Sequence, residues 1–184
     1  MDYETKSISR EKIRIIARII RNYLKIRTIR FPVMNVLEQL VVDFEDILVY
    51  EVLPDEKFDK NVMAFIETYD YCSYNIKIRE SVYIGALDKK GDCLGFINHE
   101  IAHFILMHIF GMKPIINCNT GTDRCIPAYK SMEWQAKALC GELMIPYEKC
   151  MNRDLDNIIK VTGSSREQAL YFKSKVCKKV KNEK

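Results

Sequence analysis

The chain has 184 residues, of which 48% are hydrophobic and 29% are charged, and its formal net charge is +4. These proportions are close to globular averages and the length suffices for one domain with a buried core, so a disordered or low-complexity chain is excluded. The sequence has neither a basic-then-apolar leader nor an apolar run long enough to cross a membrane, and we therefore predict a cytoplasmic protein with no membrane partner.

Charge is distributed unevenly along the chain. Nine Lys and Arg residues lie within 6–30 together with one acidic residue, Glu11, whereas the stretch 31–165 is acidic. The seven cysteines are an odd number without a C-x-x-C pair, which favours free thiols where no secretion signal is present. We predict three parts: a basic amphipathic N-terminal helix within 1–30, a main domain over 31–180 and a basic tail over 181–184.

Two helices are predicted near the N-terminus. From Ser9, which can cap a helix, apolar residues recur at helical spacing until Leu24. Pro32 is well placed to begin a second helix that continues to Leu40. Basic residues occupy the other face of the first helix, and they are Arg14, Arg18, Arg21 and Lys25.

The rest of the chain reads as a small sheet followed by helices. Short β-like runs predict strands over 47–53, 62–69 and 74–78, the last continued by 81–84. Helical spacing predicts four further helices, over 94–110, 131–145, 154–161 and 165–179. Gly111 and Pro146 are placed to end the first two of these helices. This order of elements predicts a single α+β domain with a helical C-terminal part.

The segment His99-Glu100-Ile101-Ala102-His103 is an H-E-x-x-H motif inside a predicted helix. Its two imidazoles lie one turn apart and can bind one zinc ion, while Glu100 can act as the general base that activates the attacking water. The alternative is a chance motif on an apolar helix. Two of the three histidines fall in the motif, however, and a buried helix carries such groups at a desolvation cost that a metal would offset.

A catalytic zinc has a third protein ligand and an open fourth position. Glu133 is our candidate, because it shares a helix face with the apolar or small residues Ala136, Cys140 and Leu143 and is predicted to point inward. Glu142 is the alternative ligand, but it falls on a different side of the helix, which we predict to face solvent.

Other polar residues have weaker signals. His108 lies five residues after His103, which turns it away from the ligand face, and we predict a helix-end or surface histidine. The spacing does not select the side chain that polarises the substrate carbonyl. The candidates are Tyr69, Tyr74, Tyr129 and Tyr147.

Three short motifs together resemble the ImmA/IrrE metallopeptidases, which share H-E-x-x-H on one helix followed by E-x-x-A and L-M-x-P on the next. The corresponding segments are HEIAH at 99–103, EWQA at 133–136 and LMIP at 143–146, and the resemblance covers roughly 33–180. Two departures are Ala102, where the family more often has glycine, and the spacing of His108, where an offset of four residues is often seen.

The resemblance implies a zincin-like α+β fold and a zinc endopeptidase that cuts a helix-turn-helix transcriptional repressor, often one encoded beside it on a mobile element or in a stress regulon. Carried over by position, the zinc ligands are His99, His103 and Glu133, and the general base is Glu100. The lining of the substrate groove is what the departures leave open.

Two other classes of function compete with this interpretation. The basic helix, with 156–179 read as a helix-turn-helix around Gly163, would suit a DNA-binding regulator with a structural metal. A protein-interaction module with a non-catalytic metal site is the other alternative. We predict no direct nucleic-acid binding, because basic helix faces are usually solvated, and Glu100 favours catalysis because a structural site has no need of it.

Overall fold

The computed structural model describes residues 2–68, 70–113 and 126–177. Within them the chain is α+β, as predicted, with eight α-helices and three strands. The helices are α1 (Arg10–Tyr23), α2 (Val33–Asp43), α3 (Glu80–Leu87), α4 (Gly91–Phe104), α5 (Met132–Met144), α6 (Tyr147–Cys150), α7 (Leu155–Thr162) and α8 (Arg166–Tyr171). The strands are β1 (Leu48–Leu53), β2 (Ala64–Glu67) and β3 (Tyr74–Arg79). None of the described helices combines the length and apolar composition that a membrane span requires.

Some predicted features lie outside the described residues. They are Tyr69, Cys118, Cys125, the last residues of the predicted helix over 165–179 and the predicted tail over 181–184. The five described cysteines, Cys72, Cys93, Cys140, Cys150 and Cys177, are free thiols.

The three strands form one mixed sheet in the order β1-β3-β2. β1 runs parallel to β3 with Leu48 opposite Tyr74, and β2 runs antiparallel to β3 with Ile66 opposite Ile76. Tyr74, Ile76 and Ile78 of β3 are buried while the residues between them are half-buried, so one face of the sheet packs on the core. Helix α4 packs against β2, α2, α3 and α5, and its Ile97 is fully buried.

The predicted strand over 81–84 is wrong, because the chain turns into helix α3 directly after β3. The carboxylate of Asp55 accepts hydrogen bonds from the Ser81 backbone N–H at 3.0 Å and from the Ser81 hydroxyl at 2.6 Å. An N–H in the first helical turn has no partner within the helix, and Asp55 supplies one from a distant loop. Val82 and Ala86, four residues apart, then bury one side of the helix.

Helix α1 begins where predicted, with Ser9 Oγ accepting from the backbone N–H of Lys12 at 3.3 Å. One residue of the basic face of α1, Arg21, is buried, with 6% of its surface exposed. Its guanidinium donates to the carbonyl oxygens of Leu143, Thr28 and Ile29. Arg21 therefore ties α1 to the C-terminal end of α5 and to the turn that follows α1.

We expect Arg21→Ala to lower the free energy of unfolding by about 2–3 kcal/mol, because charge-assisted hydrogen bonds are lost and buried carbonyls are left without a partner. Arg18→Ala is the matched control on the same helix, since Arg18 is 60% exposed and its ion pair, at 3.7 Å, is with the exposed Glu148. Chemical denaturation of both variants measures the difference. Equal unfolding free energies for the two variants would contradict the structural role of Arg21.

Candidate metal centre

The two motif histidines lie one turn apart on α4 and turn toward the same point. His103 is buried and His99 is half-buried, and their Nε2 atoms are 3.2 Å apart. A Cβ on Gly95 would lie 2.3 Å from Gln168 Nε2, and a Cβ on Gly91 would lie 2.6 Å from the Gly163 carbonyl oxygen. These two glycines allow the close packing of α4 on the C-terminal helices, which fixes where the histidines stand.

Glu133 reaches the same point from the first turn of α5. Its Oε2 lies 3.4 Å from His99 Nε2, and its Oε1 lies 3.3 Å from His103 Nε2. Nitrogen and oxygen ligands about 2.0–2.2 Å from a tetrahedral zinc are separated from one another by roughly 3.3 Å. The three side chains therefore form a group that could hold a metal ion.

The two histidines affect the ionisation of Glu133 in this group. Hydrogen bonds from His103 and His99 hold the pKa of the Glu133 carboxyl well below its usual range, although partial burial acts in the other direction. Glu133 is therefore a carboxylate, which is the form that a metal ion requires.

Glu100 follows His99 directly in the chain and is not part of the group of three side chains that could hold a metal ion. The pKa of Glu100 is raised to about 7, chiefly by burial and also by the Glu133 charge, while His99 and a hydrogen bond from the backbone of Ile66 act in the opposite direction. These partners place the carboxylate between α4 and the edge of β2. A buried carboxyl that interacts electrostatically with His99 and Glu133 could accept or donate a proton at this group.

Asn98 contributes to the site, and sequence analysis missed it. Its Nδ2 donates to the backbone oxygen of Cys140 on α5 at 3.2 Å, and both residues are buried. The Cys140 thiol in turn points at the carbonyl of Gly95, and burial raises the pKa of this thiol to about 12. Asn98 therefore fastens α4 to α5 beside His99. The available signal was an amide directly before the motif in an otherwise apolar helix.

Glu142 corrects one prediction, because it is 5% exposed and does not face solvent. Arg14 Nε donates to Glu142 Oε1 at 3.1 Å, and Arg10 Nε lies 4.0 Å from the same oxygen. The carboxylate points at α1, on the side of α5 away from Glu133, and it is not part of the metal-binding group. The sequence pattern could not show this, since both arginines are more than a hundred residues away.

His108 lies in the helical segment Ile105–Ile109 that continues α4, so the helix-end alternative of the prediction is confirmed, and its side chain is half-buried. Its ring stacks on Phe104 with centroids 5.3 Å apart, and it meets Tyr74 and Phe44 edge-on. This cluster is separate from the metal-binding group. His108 therefore has a packing role.

A cleft of about 1340 Å³ opens over the group. Its walls come from α4, α5, the strand β2 and the helix α8. The predicted carbonyl-polarising tyrosines among the described residues do not line it: Tyr74 is buried, Tyr147 lies under Arg14, and Tyr129 is exposed elsewhere. Of the tyrosines that the structure describes, Tyr3, Tyr71 and Tyr171 line it.

Comparison of the chain with models of protein families, with curated proteins and with solved structures gave no match. The α+β class is therefore established by the elements themselves. The resemblance to the ImmA/IrrE metallopeptidases rests on the three sequence motifs.

We expect purified protein to bind one zinc ion per chain, and His99→Ala or His103→Ala to weaken binding by more than about 100-fold, because each removes a direct ligand. His108→Phe is the matched control, since this histidine lies outside the group and a phenyl ring preserves the stacking on Phe104. Elemental analysis after exposure to zinc measures the content. Wild-type protein that remains metal-free would refute the site.

Proposed function

We propose that the chain is a zinc-dependent endopeptidase that hydrolyses a peptide bond in a protein substrate. The observation that carries the proposal is the convergence of His99, His103 and Glu133 on one point, with the buried Glu100 beside it. Two histidines and one carboxylate are a ligand set of catalytic zinc sites, which keep the fourth position for water or substrate.

The donor atoms also bear on the choice of metal. Two imidazoles and a carboxylate suit zinc, although non-haem iron uses a similar set. Zinc is favoured by the ligand separations of 3.2–3.4 Å, which agree with tetrahedral geometry, and by a neighbouring carboxyl that hydrolysis can use.

Bound zinc would polarise the scissile carbonyl and lower the pKa of a water at the open position. The protein itself must supply a general base, and Glu100 can have this role because it can accept a proton from that water and later donate it to the leaving amine. His99 and His103 would hold the ion from one helix and Glu133 from the next. The packing of α4 on α5 therefore sets the geometry in which Glu100 acts.

The size and the lining of the cleft support the proposal of a polypeptide substrate. Its volume of about 1340 Å³ exceeds the roughly 300–1,000 Å³ of small-molecule pockets. Within the described residues β2 pairs with a strand on one side only, and its other side lines the cleft beside Glu100. An extended peptide can add to such an edge by backbone hydrogen bonds. By its resemblance to the ImmA/IrrE peptidases, we propose a helix-turn-helix repressor as the substrate.

The DNA-binding alternative finds less support. Arg21 and Arg14, two members of the basic face of α1, are engaged by protein carbonyls and by Glu142. The turn between α7 and α8 packs on the start of α4 at Gly91, and Tyr171 at the end of α8 lines the cleft. Parts of both helical surfaces that DNA binding would use thus contact the rest of the domain. We expect no salt-sensitive binding to duplex DNA.

We expect Glu100→Gln to bind zinc and fold normally but to lose cleavage by about 10²–10⁴-fold, since the amide cannot accept a proton. Glu133→Ala should lose both zinc affinity and activity, because only two protein ligands remain. Zinc content and cleavage of a helix-turn-helix repressor encoded by a neighbouring gene should be measured side by side, with product fragments identified by mass spectrometry.

The paired design separates the alternatives. A Glu100→Gln variant that cuts at the wild-type rate would show that the proposed base is wrong. A Glu133→Ala variant with normal zinc content would place the third ligand elsewhere. A wild type that binds zinc and cuts nothing, with both variants equally inactive, would favour the non-catalytic interaction module.

A further inference from the structure

Glu133, the proposed metal ligand on α5, lies in the first turn of that helix. α5 begins at Met132, so Glu133 is the second residue of the first turn. Backbone N–H groups of a first turn have no partner inside the helix, and helix ends open more readily than helix centres. A ligand at this position can meet His99 and His103 only while the first turn is held in its helical form.

The segment 2–8 lies across this end of α5. Its backbone makes three hydrogen bonds of 2.8–3.0 Å with the stretch 129–132, and Glu4 forms an isolated antiparallel bridge with Ser131. Gln135 Nε2 donates to the carbonyl of Lys6 at 2.9 Å. Thr5 in the middle of the segment is fully buried. These contacts hold the segment in place without the side chain of Asp2.

Asp2 meets the first turn directly. Its Oδ1 accepts a hydrogen bond from the backbone N–H of Glu133 at 3.1 Å, and its Oδ2 accepts one from the hydroxyl of Ser131 at 2.7 Å. Ser131 is the N-cap of α5, and its Oγ accepts from the backbone N–H of Trp134 at 2.9 Å. Asp2 thus caps the N–H of the metal ligand itself and fixes the hydroxyl that caps the next residue.

We propose that Asp2 is a positioning residue for Glu133: the segment 2–8 holds the first turn of α5 in the geometry in which the Glu133 carboxylate reaches the two histidines. The negative charge of Asp2 near a helix N-terminus adds to the effect of its hydrogen bonds. This inference rests on the metal site of the proposed function and does not require peptidase activity.

The side chain of Asp2 is exposed, so its removal creates no cavity in the core. Loss of an N-cap costs typically ~1 kcal/mol, which corresponds to about 5-fold in an equilibrium constant. We therefore expect Asp2→Ala to fold and to weaken zinc binding by about 5-fold. Asp2→Asn retains one acceptor oxygen for the Glu133 N–H and should recover part of the affinity.

The experiment titrates metal-free full chain with zinc against a chromophoric chelator and records the visible spectrum of the Co²⁺ form. The spectrum of Asp2→Ala should shift toward that of Glu133→Ala. In a double-mutant cycle, Asp2→Ala added to Glu133→Ala should change zinc affinity no further, because Asp2 acts through the missing carboxylate. If Asp2 had only a structural role, Asp2→Ala would weaken zinc binding equally in the wild type and in the Glu133→Ala variant.

Two control variants are available. Ser7→Ala changes an exposed side chain of the same segment, and Asp88→Ala removes an exposed aspartate at the end of α3. Both should leave zinc affinity within about 2-fold of the wild type. Melting of the metal-free variants measures any general loss of stability.

The outcomes are distinguishable. A wild type that binds no zinc would refute the metal site and this inference together. If the wild type binds zinc and Asp2→Ala binds it equally well, the positioning role is overturned and the metal site remains. The same holds if Asp2→Ala weakens zinc binding as much in the Glu133→Ala background as in the wild type. A weakening shared by Ser7→Ala or Asp88→Ala would also overturn it.

Discussion

The packing of α4 against α5 is the contact on which the candidate site depends, because two ligands lie on one helix and the third on the other. Each residue along a helix advances 1.5 Å, whereas metal–ligand bonds tolerate about 0.2 Å. A slide by a single residue would therefore dismantle the site. The buried amide of Asn98, bonded to the Cys140 carbonyl, fixes this register from inside the interface.

Helix α5 carries two carboxylates on opposite sides, and each has its own positive or polar partners. Glu133 meets the imidazoles, while Glu142 meets Arg14. The residues before and within α1 also hold both ends of α5, with Asp2 at the N-terminus and Arg21 at the Leu143 carbonyl of the last turn. An anion at the start and a cation at the end complement the helix dipole.

The parts of the molecule that follow local rules could be predicted from sequence. The periodicity of α1, the alternation in β3 and the Pro146 that ends α5 are all local signals, and so is the H-E-x-x-H motif. The errors arise where a distant partner decides the outcome. The hydrogen bond from Ser81 to Asp55 stabilises a helix where a strand was predicted over 81–84. Arg14 pairs with the buried carboxylate of Glu142, which the pattern of α5 alone had assigned to solvent.

The structure also gives physical meaning to the residues that carry the resemblance. Ala136, one turn after Glu133, is fully buried on the face that Cys140 presents to α4, where a larger side chain would push α5 away from the histidines. Leu143 and Met144 bury the end of the helix, and Pro146 starts the next one. Ala102 is also fully buried, so its methyl group fits where the family more often has glycine. The three motifs therefore describe one helix pair and its spacing, and the metal-binding group follows from that spacing.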